Sequence, residues 1–314
     1  MVLKYLQSLI SINVNSLNLP IKRHRVGRWI RKHNLTICYL QETHLPQQDK
    51  HRLKVKGWKT IIQANGPQKR AGTAILISDM IDFKIDKIKK DRNGHYLMLR
   101  GSVNQEDLTI INIYAPNEKP SKYIKLLLKE LQQYINSNTI IVGDFNTPLS
   151  QLDRSSRKKI SKDIRELNEE IDKLELLDIF RVIHPKKLEY TFYSNPHGSF
   201  SRIDHMLGHK DRISLFKSTE IIPSIFSDHS GIKLTLNNQQ KISNSPKMWK
   251  LNSTLLNNFW VKEEIKEEIK MFREFNENED TSDQNIWDTA KAVLRVKFTV
   301  IQAHNRKQEK AQIA

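Results

Sequence analysis

The sequence predicts an α/β fold, a two-sheet sandwich followed by a helical extension. Two observations carry that expectation. Short runs rich in Ile, Val and Leu recur as far as Leu236, too short and too β-branched for helices. Longer stretches with apolar residues at helical spacing lie between some of them, an order that suits a sandwich better than a strictly parallel wound sheet.

The elements follow in order. Leu9–Val14 and Thr36–Leu40 read as strands, with a helix between them at Ile21–His33, where basic residues surround Val26, Trp29 and Ile30. Gly72–Ile77 and Leu108–Tyr114 are further strands. Tyr123–Ile135 repeats leucine at helical spacing (Leu127, Leu131), and Thr139–Gly143 is a strand again. Ile164–Leu177 carries Leu167, Ile171 and Leu174 among alternating acids and bases, which predicts a surface helix. Phe192–Arg202 reads as a hairpin with Asn-Pro-His-Gly at its tip, and Gly231–Leu236 is the last strand.

Composition shifts after Leu236. Asn237–Lys247 is rich in Asn, Gln and Ser and reads as a linker. The expected organisation is a domain over 1–237, a linker over 238–248 and helices over 249–314. Val261, Ile265, Ile269 and Phe272 share one helical face. A second helix beyond Asn276–Asp283 carries Trp287, Ala290, Leu294 and Ile301. Arg306–Ala314 lacks any stop signal, so the chain reads as cut within an element.

With 314 residues and 38% hydrophobic content the chain supports one large core plus an appendage. A net charge of +17 and a pI near 9.7 point to a polyanionic partner, most simply nucleic acid. The single cysteine, Cys38, excludes an internal disulfide and fits a reducing compartment. It lies within a strand-like stretch and reads as a buried thiol, and the spacings of a zinc site are absent. No run approaches the ~18–20 apolar residues of a membrane span, and Met1–Ile10 lacks a signal-peptide core. A soluble, intracellular protein is expected.

Polar residues worth attention cluster where apolar runs stop. Thr139–Asn146 ends in Gly-Asp-Phe-Asn; Ser201-Arg-Ile-Asp-His205 and Ser227-Asp-His-Ser230 follow. Asn13 and Asn15 end the first strand, Gln41-Glu42 follows the second, and Tyr114 closes another. Ligands of open α/β sheets bind beyond the carboxyl ends of strands, so these groups can meet in one crevice. Their chemistry suits phosphodiester hydrolysis. Mg²⁺ prefers oxygen ligands and takes one or two carboxylates, for which Glu42 leads with Asn13 as neutral partner. Asp144 would orient and deprotonate water, and Asn146 would donate to a phosphate oxygen. His229 needs a carboxylate to stay cationic near neutral pH, expected to be Asp228 or another that the fold brings close.

The ordered strings Asn13-Val-Asn15, Gln41-Glu-Thr43, Tyr114-Ala-Pro, Gly143-Asp-Phe-Asn146, Arg202-Ile-Asp-His205 and Ser227-Asp-His229 resemble the endonuclease/exonuclease/phosphatase superfamily. Longer strings, among them Gln41-Glu-Thr-His-Leu45 and His51-Arg-Leu-Lys-Val-Lys-Gly-Trp58, are similar to the endonuclease region of mammalian long-interspersed-element retrotransposon proteins. The resemblance implies a DNase I-like sandwich, Mg²⁺ with Mn²⁺ as a substitute, and nicking of duplex DNA at T-rich/A-rich junctions by a monomer. The 3′-hydroxyl left behind would prime reverse transcription. The element's RNA would be a partner through a longer parent, with activity in the nucleus and synthesis in the cytoplasm. Residue by residue it implies Glu42 and Asn13 at the metal and Asp144, Asn146 and Tyr114 at water and phosphate. Asp204 would lie on the metal or leaving-group side, with Asp228 and His229 as the terminal pair. Arg154, Thr191, Arg202 and Asn15 would face DNA. A cellular abasic-site repair nuclease and an inactive nucleic-acid-binding remnant are the competing readings. Ser16 departs from the Gly that many relatives carry there, a position where Gly tolerates shapes that Ser resists.

Overall fold

The structure, a computed structural model, describes residues 8–33, 35–103, 105–156, 158–237, 253–276 and, except for 288, 292, 296 and 299, 286–301. It divides into two units, Met1–Gln240 and Lys241–Ala314.

The first unit is a sandwich of two six-stranded sheets. One sheet holds Ser8–Asn13 (β1), Ile37–Gln41 (β2), Thr60–Ala64 (β3), Thr73–Ile77 (β4), Phe216–Ile222 (β13) and Gly231–Leu236 (β14), in the order β13-β14-β1-β2-β4-β3. The other holds Phe83–Lys90 (β5), Tyr96–Val103 (β6), Glu106–Tyr114 (β7), Thr139–Asp144 (β8), Leu176–Asp178 (β9) and Asp204–His209 (β12), in the order β5-β6-β7-β8-β12-β9. Phe192–Ser194 (β10) and Ser199–Ser201 (β11) form a separate hairpin.

Each sheet contains one parallel pair, and a helix makes each crossover. Pro20–Lys32 (α1) joins β1 to β2, and Pro120–Leu131 (α2) joins β7 to β8. These crossovers cover the outer faces, so the central strands are buried on both sides and read as unbroken apolar runs. Leu9, Ile37, Tyr39 and Ile75 meet Leu97, Ile110, Ile140 and Val142 between the sheets. Ile10, Ile12 and Leu40 face outward onto Val26 and Ile30 of α1. Ile111 and Ile141 lie beneath α2 and Lys162–Lys173 (α3).

Register delivers the functional residues to one end. In the parallel pairs Asn13 is opposite Gln41 and Tyr114 opposite Asp144; antiparallel β12 places Asp204 opposite Asp144. A buried amide stitch lies behind them. Gln41 Nε2 donates to Ser11 Oγ at 3.0 Å and to Asn112 Oδ1 at 2.6 Å; Asn112 Nδ2 donates across the sandwich to Leu40 O and Ala74 O.

The helix expected over Ile164–Leu177 ends at Lys173. Glu175 takes a left-handed turn (φ 56°), Leu176–Asp178 pairs with β12 instead, and the short helix Ile179–Ile183 (α4) follows. Strand pairing outcompetes the helical pattern there. Strands β5 and β13 escaped the apolar-run reading because edge strands mix in charge, as β5 does with Lys84, Lys87, Lys89 and Lys90. Cys38 is buried, as its setting implied.

The second unit has a 3₁₀ turn at Ser253–Asn257, the helix Phe259–Asn276 (α5) that the 3.6-residue period predicts, and helical residues within 286–301. Leu255, Val261, Ile265, Phe298 and Ile301 form its core. Among its described residues there is no strand, and the expected linker 238–248 and Arg306–Ala314 lie outside the described residues. Among described residues, no helix is long and apolar enough to cross a membrane.

Candidate active site

The strand-end loops adopt backbone shapes that L-residues usually avoid. Asn15, Ser16, Glu42, His44 and Asn146 all have φ between 43° and 75°. Asn tolerates this region, whereas Ser and Glu need outside support. Here Ser16 N donates to Glu42 O at 2.7 Å and Leu17 N to Thr43 O at 2.9 Å, so the two loops hold each other. Ser16 thus accepts the shape expected to trouble it. Two glycines make room: a Cβ on Gly72 (φ 104°) would sit 2.4 Å from Thr43 Oγ1, and one on Gly143 (φ 143°) would sit 1.9 Å from Ile113 O.

Asp144 is fully buried. Its Oδ2 accepts from Asn13 Nδ2 and its Oδ1 from Asn146 N, both at 2.9 Å. Burial, then the nearby Asp204 carboxylate, raises its pKa to about 7; His229 and the donated hydrogen bonds only partly oppose this. A carboxylate titrating near neutral pH is suited to accept a proton from water.

His229 is almost as deeply buried. Burial opposes its charge, but the Asp204 carboxylate, with Nδ1 to Oδ2 at 2.8 Å, raises it to about 10. It is therefore an imidazolium at neutral pH, with Nε2 3.9 Å from Asp144 Oδ2. Asp204, His229 and Asp144 bring their ligand-type atoms within 4.8 Å of one another. The partner of His229 is thus Asp204, which corrects the first choice of Asp228. Asp228 instead accepts from Asn15 Nδ2 at 3.1 Å.

Tyr114 lies at the rim, its ring stacked on His95 at 5.6 Å. Burial, then Glu42, which accepts its phenolic hydrogen, holds the hydroxyl protonated well above its ordinary range. Asn146 Nδ2 donates to Ala115 O at 2.7 Å, which fixes the amide and leaves one N–H to serve a phosphate. Arg154 is half-exposed where a bridge joins it to Ser201 beside the hairpin.

Two expected roles are corrected. Arg202 is completely buried, so it cannot face DNA. Its guanidinium reaches Asp153 Oδ1 and Asp178 Oδ2, each at 2.6 Å, and Nη1 lies 3.1 Å from His205 Nδ1. The Asp153, Asp178 and His205 cluster is neutralised by this arginine and by Arg181, which removes it as a cation site. Thr191 is buried too, and its hydroxyl accepts from Ile203 N at 3.2 Å and Asp204 N at 3.4 Å. It orients Asp204 and does not line the rim. Asn13 Nδ2 holds Asp144, and its Oδ1 accepts from Asn15 N while keeping a second lone pair.

The donors open to a hard cation are oxygens: Glu42, Asp228, Asn15 and the second lone pair of Asn13 Oδ1. Lys22 packs between Glu42 and Asp228, both of which counter the lowering that burial imposes on its pKa. Both carboxylates thus stand beside one ammonium group, and all-oxygen donors fit Mg²⁺. Gln41, Asn112, Thr191 and Arg202 went unrecognised as supports because their roles depend on cross-sheet pairing. Only their position beside a motif could have flagged them.

The two-sheet α/β sandwich thus gathers the Asp144–Asn146 pair, the Asp204–His229 pair and a set of oxygen donors at one end. The chain belongs to the endonuclease/exonuclease/phosphatase family, whose model matches residues 10–229. Over 295 residues it is 24% identical to the transposon TX1 uncharacterized 149 kDa protein of Xenopus laevis, covering 92% of this chain and 22% of that one. It is 28% identical over 185 residues to DNA-(apurinic or apyrimidinic site) endonuclease 2 of Mus musculus, covering 47% of this chain and 36% of that one. The chain therefore spans well under half the length of either relative. The crystal structure of an AP endonuclease from Leishmania major shares the fold, with a TM-score of 0.61 at 15% identity over 74% of this chain and 88% of that one.

Proposed function

We propose that this chain is a Mg²⁺-dependent DNA endonuclease that hydrolyses one phosphodiester of duplex DNA, as the nicking part of a retrotransposon protein. The observation that carries the reading is the Asp144–His229–Asp204 constellation at the mouth of the sandwich. The strongly basic composition supports a polyanionic substrate. Similarity to a transposon protein runs through 92% of the chain, beyond the family domain, whereas similarity to the repair endonuclease covers 47%.

Asp144 takes the proton from the attacking water, held in place by Asn13 and by Asn146 N. The His229 imidazolium, kept charged by Asp204, donates from Nε2 to a phosphoryl oxygen as negative charge grows there. Asn146 and the Tyr114 hydroxyl orient the phosphate. Glu42, with Asp228 and Asn15, would hold Mg²⁺ (Mn²⁺ as substitute), which supplies positive charge to the phosphate and the leaving oxygen. The products are a 5′-phosphate and a 3′-hydroxyl, the latter able to prime reverse transcription in the nucleus.

Abasic-site repair is the competing reading, favoured by the Mus musculus relative. Matched duplexes separate the two: one intact with a T-rich/A-rich junction, one with a single abasic site. The retrotransposon reading expects cutting of the intact junction at least as fast as of the abasic duplex. Cutting confined to the abasic site would replace it with the repair reading.

A further inference from the structure

Five basic side chains, Lys50, His51, Lys54, Lys59 and Lys90, line one groove whose walls carry no carboxylate. It runs between the segment 47–59 and the neighbouring strands β3 and β5, with Trp58 in its floor, and encloses about 530 Å³. Gln63 Nε2 donates to Lys50 O at 2.8 Å and ties the segment to β3.

The two acids adjacent in sequence to groove lysines, Asp49 and Asp91, have other partners, Asp91 accepting from His95 N. Asp49 pairs with Arg52 at 3.0 Å, and Asp79 accepts from the backbone N–H of Lys59 at 2.8 Å. Among the described residues, no ion pair neutralises Lys50, Lys54, Lys59 or Lys90. Burial and then the Lys50 ammonium lower the pKa of Lys90, so these cations are crowded without a counter-charge.

The groove is also placed usefully. Lys90 leads into the turn at Asp91, which accepts from His95 N at 2.9 Å. His95 Nδ1 bonds Tyr114 O at 2.8 Å, and the His95 ring stacks on Tyr114. One turn of chain thus separates the groove from the rim of the active site.

We propose that this groove is a second DNA contact, holding the phosphodiester backbone of the duplex that flanks the cut. The proposal rests on the reading that duplex DNA is the substrate. Lysine ammonium groups on flexible stems read charge and not bases, so the contact is independent of sequence. It anchors long duplexes and is out of reach of short ones.

The test uses Lys54→Gln/Lys59→Gln/Lys90→Gln, three exposed positions outside the catalytic set, with binding measured in EDTA so that no cutting occurs. Duplexes of about 40 and about 12 base pairs, the latter centred on the junction, are titrated across salt, where each phosphate contact contributes close to ~0.9 to the slope. The expected result is a slope lower by about 2–3 on the long duplex alone, with nicking of the short one, followed separately in Mg²⁺, unchanged. An unchanged slope on the long duplex overturns the proposal, and so does an equal fall on both lengths. A fall seen only with single-stranded RNA overturns it as well, assigning the groove to RNA. Wild-type protein that gives the length-dependent slope yet nicks nothing would refute the endonuclease reading and leave the groove contact standing.

Discussion

His229 Nδ1 lies 2.8 Å from Asp204 Oδ2, and the rest of the chemistry is arranged around this pair. Thr191 fixes the backbone of Asp204 from one side. The Phe192 ring lies against the imidazole at 4.9 Å from the other. Removing the carboxylate should leave the ring in position with its proton weakly held. Asp204→Asn is expected to slow nicking by about 10²-fold or more, through lost electrostatic help. It should also move the alkaline limb of the pH profile down from about 10, since the Asp204 carboxylate does most to raise His229 against burial. An alkaline limb left in place would assign the imidazolium to another partner.

Asp144 sets the acid limb. Its pKa is raised to about 7, so the basic form fills only as pH passes neutrality. kcat/KM for nicking should rise about tenfold per unit below that point and level off above it. Folding carries the opposite sign. A raised folded pKa favours the neutral carboxyl, so that contribution is complete below about 4 and is lost as pH rises through about 7. Asp144→Asn should therefore melt higher than wild type at pH 8, with the difference closing in acid. Thermal melts at the two pH values check it.

Arg202 links the mouth of the site to its support. Burial pushes the Asp178 carboxyl up, but Arg202 and His205 more than reverse this and hold it well below its ordinary range; Asp153 is held down in the same way. Their contribution to stability is present above about 4 and is lost as pH falls through the lowered folded values. Arg202→Met leaves buried Asp153 with Arg181 alone and Asp178 with His205 alone, and should cost about 3–5 kcal/mol in urea unfolding. The salt dependence of DNA binding in the folded fraction should not change, because a buried guanidinium touches no phosphate. A reduced salt slope would return Arg202 to the DNA-facing surface.

The β10–β11 hairpin presents Tyr193 and Phe200, ring centroids 4.6 Å apart, beside the site. Aromatic rings on a loop read groove shape and not base edges. Replacing Asn195–Gly198 and the two rings by a Gly-Ser turn should shift the distribution of cut positions across T-rich/A-rich junctions while plain nicking persists. Identical cut positions, mapped on sequencing gels, would remove the hairpin from site selection.

How much of this was legible in the sequence depends on the residue. Asp144, Asn146, Glu42 and Tyr114 were readable because each ends an apolar run, and parallel pairing brings such ends together. The hairpin tip was readable too, since Pro196 and Gly198 suit a 3₁₀ turn closed by a left-handed residue. The partner of His229 was not, because Asp228 is adjacent in sequence while Asp204 arrives only through the β8–β12 register. The DNA-facing role of Arg202 rested on the resemblance of its motif, which carries no information about burial. That burial depends on Asp153 and Asp178, which lie far from it along the chain.

The central claim is that Asp144 and His229 act together on a phosphodiester at this mouth. The direct measurement is the single-turnover rate of supercoiled plasmid nicking with Mg²⁺ and with EDTA, for wild type, Asp144→Ala and His229→Ala. The account predicts open circles from wild type with Mg²⁺ only, and rates at least ~10²-fold lower in each variant. Wild-type protein that relaxes no circle with any divalent cation, or either variant nicking at the full rate, would contradict it.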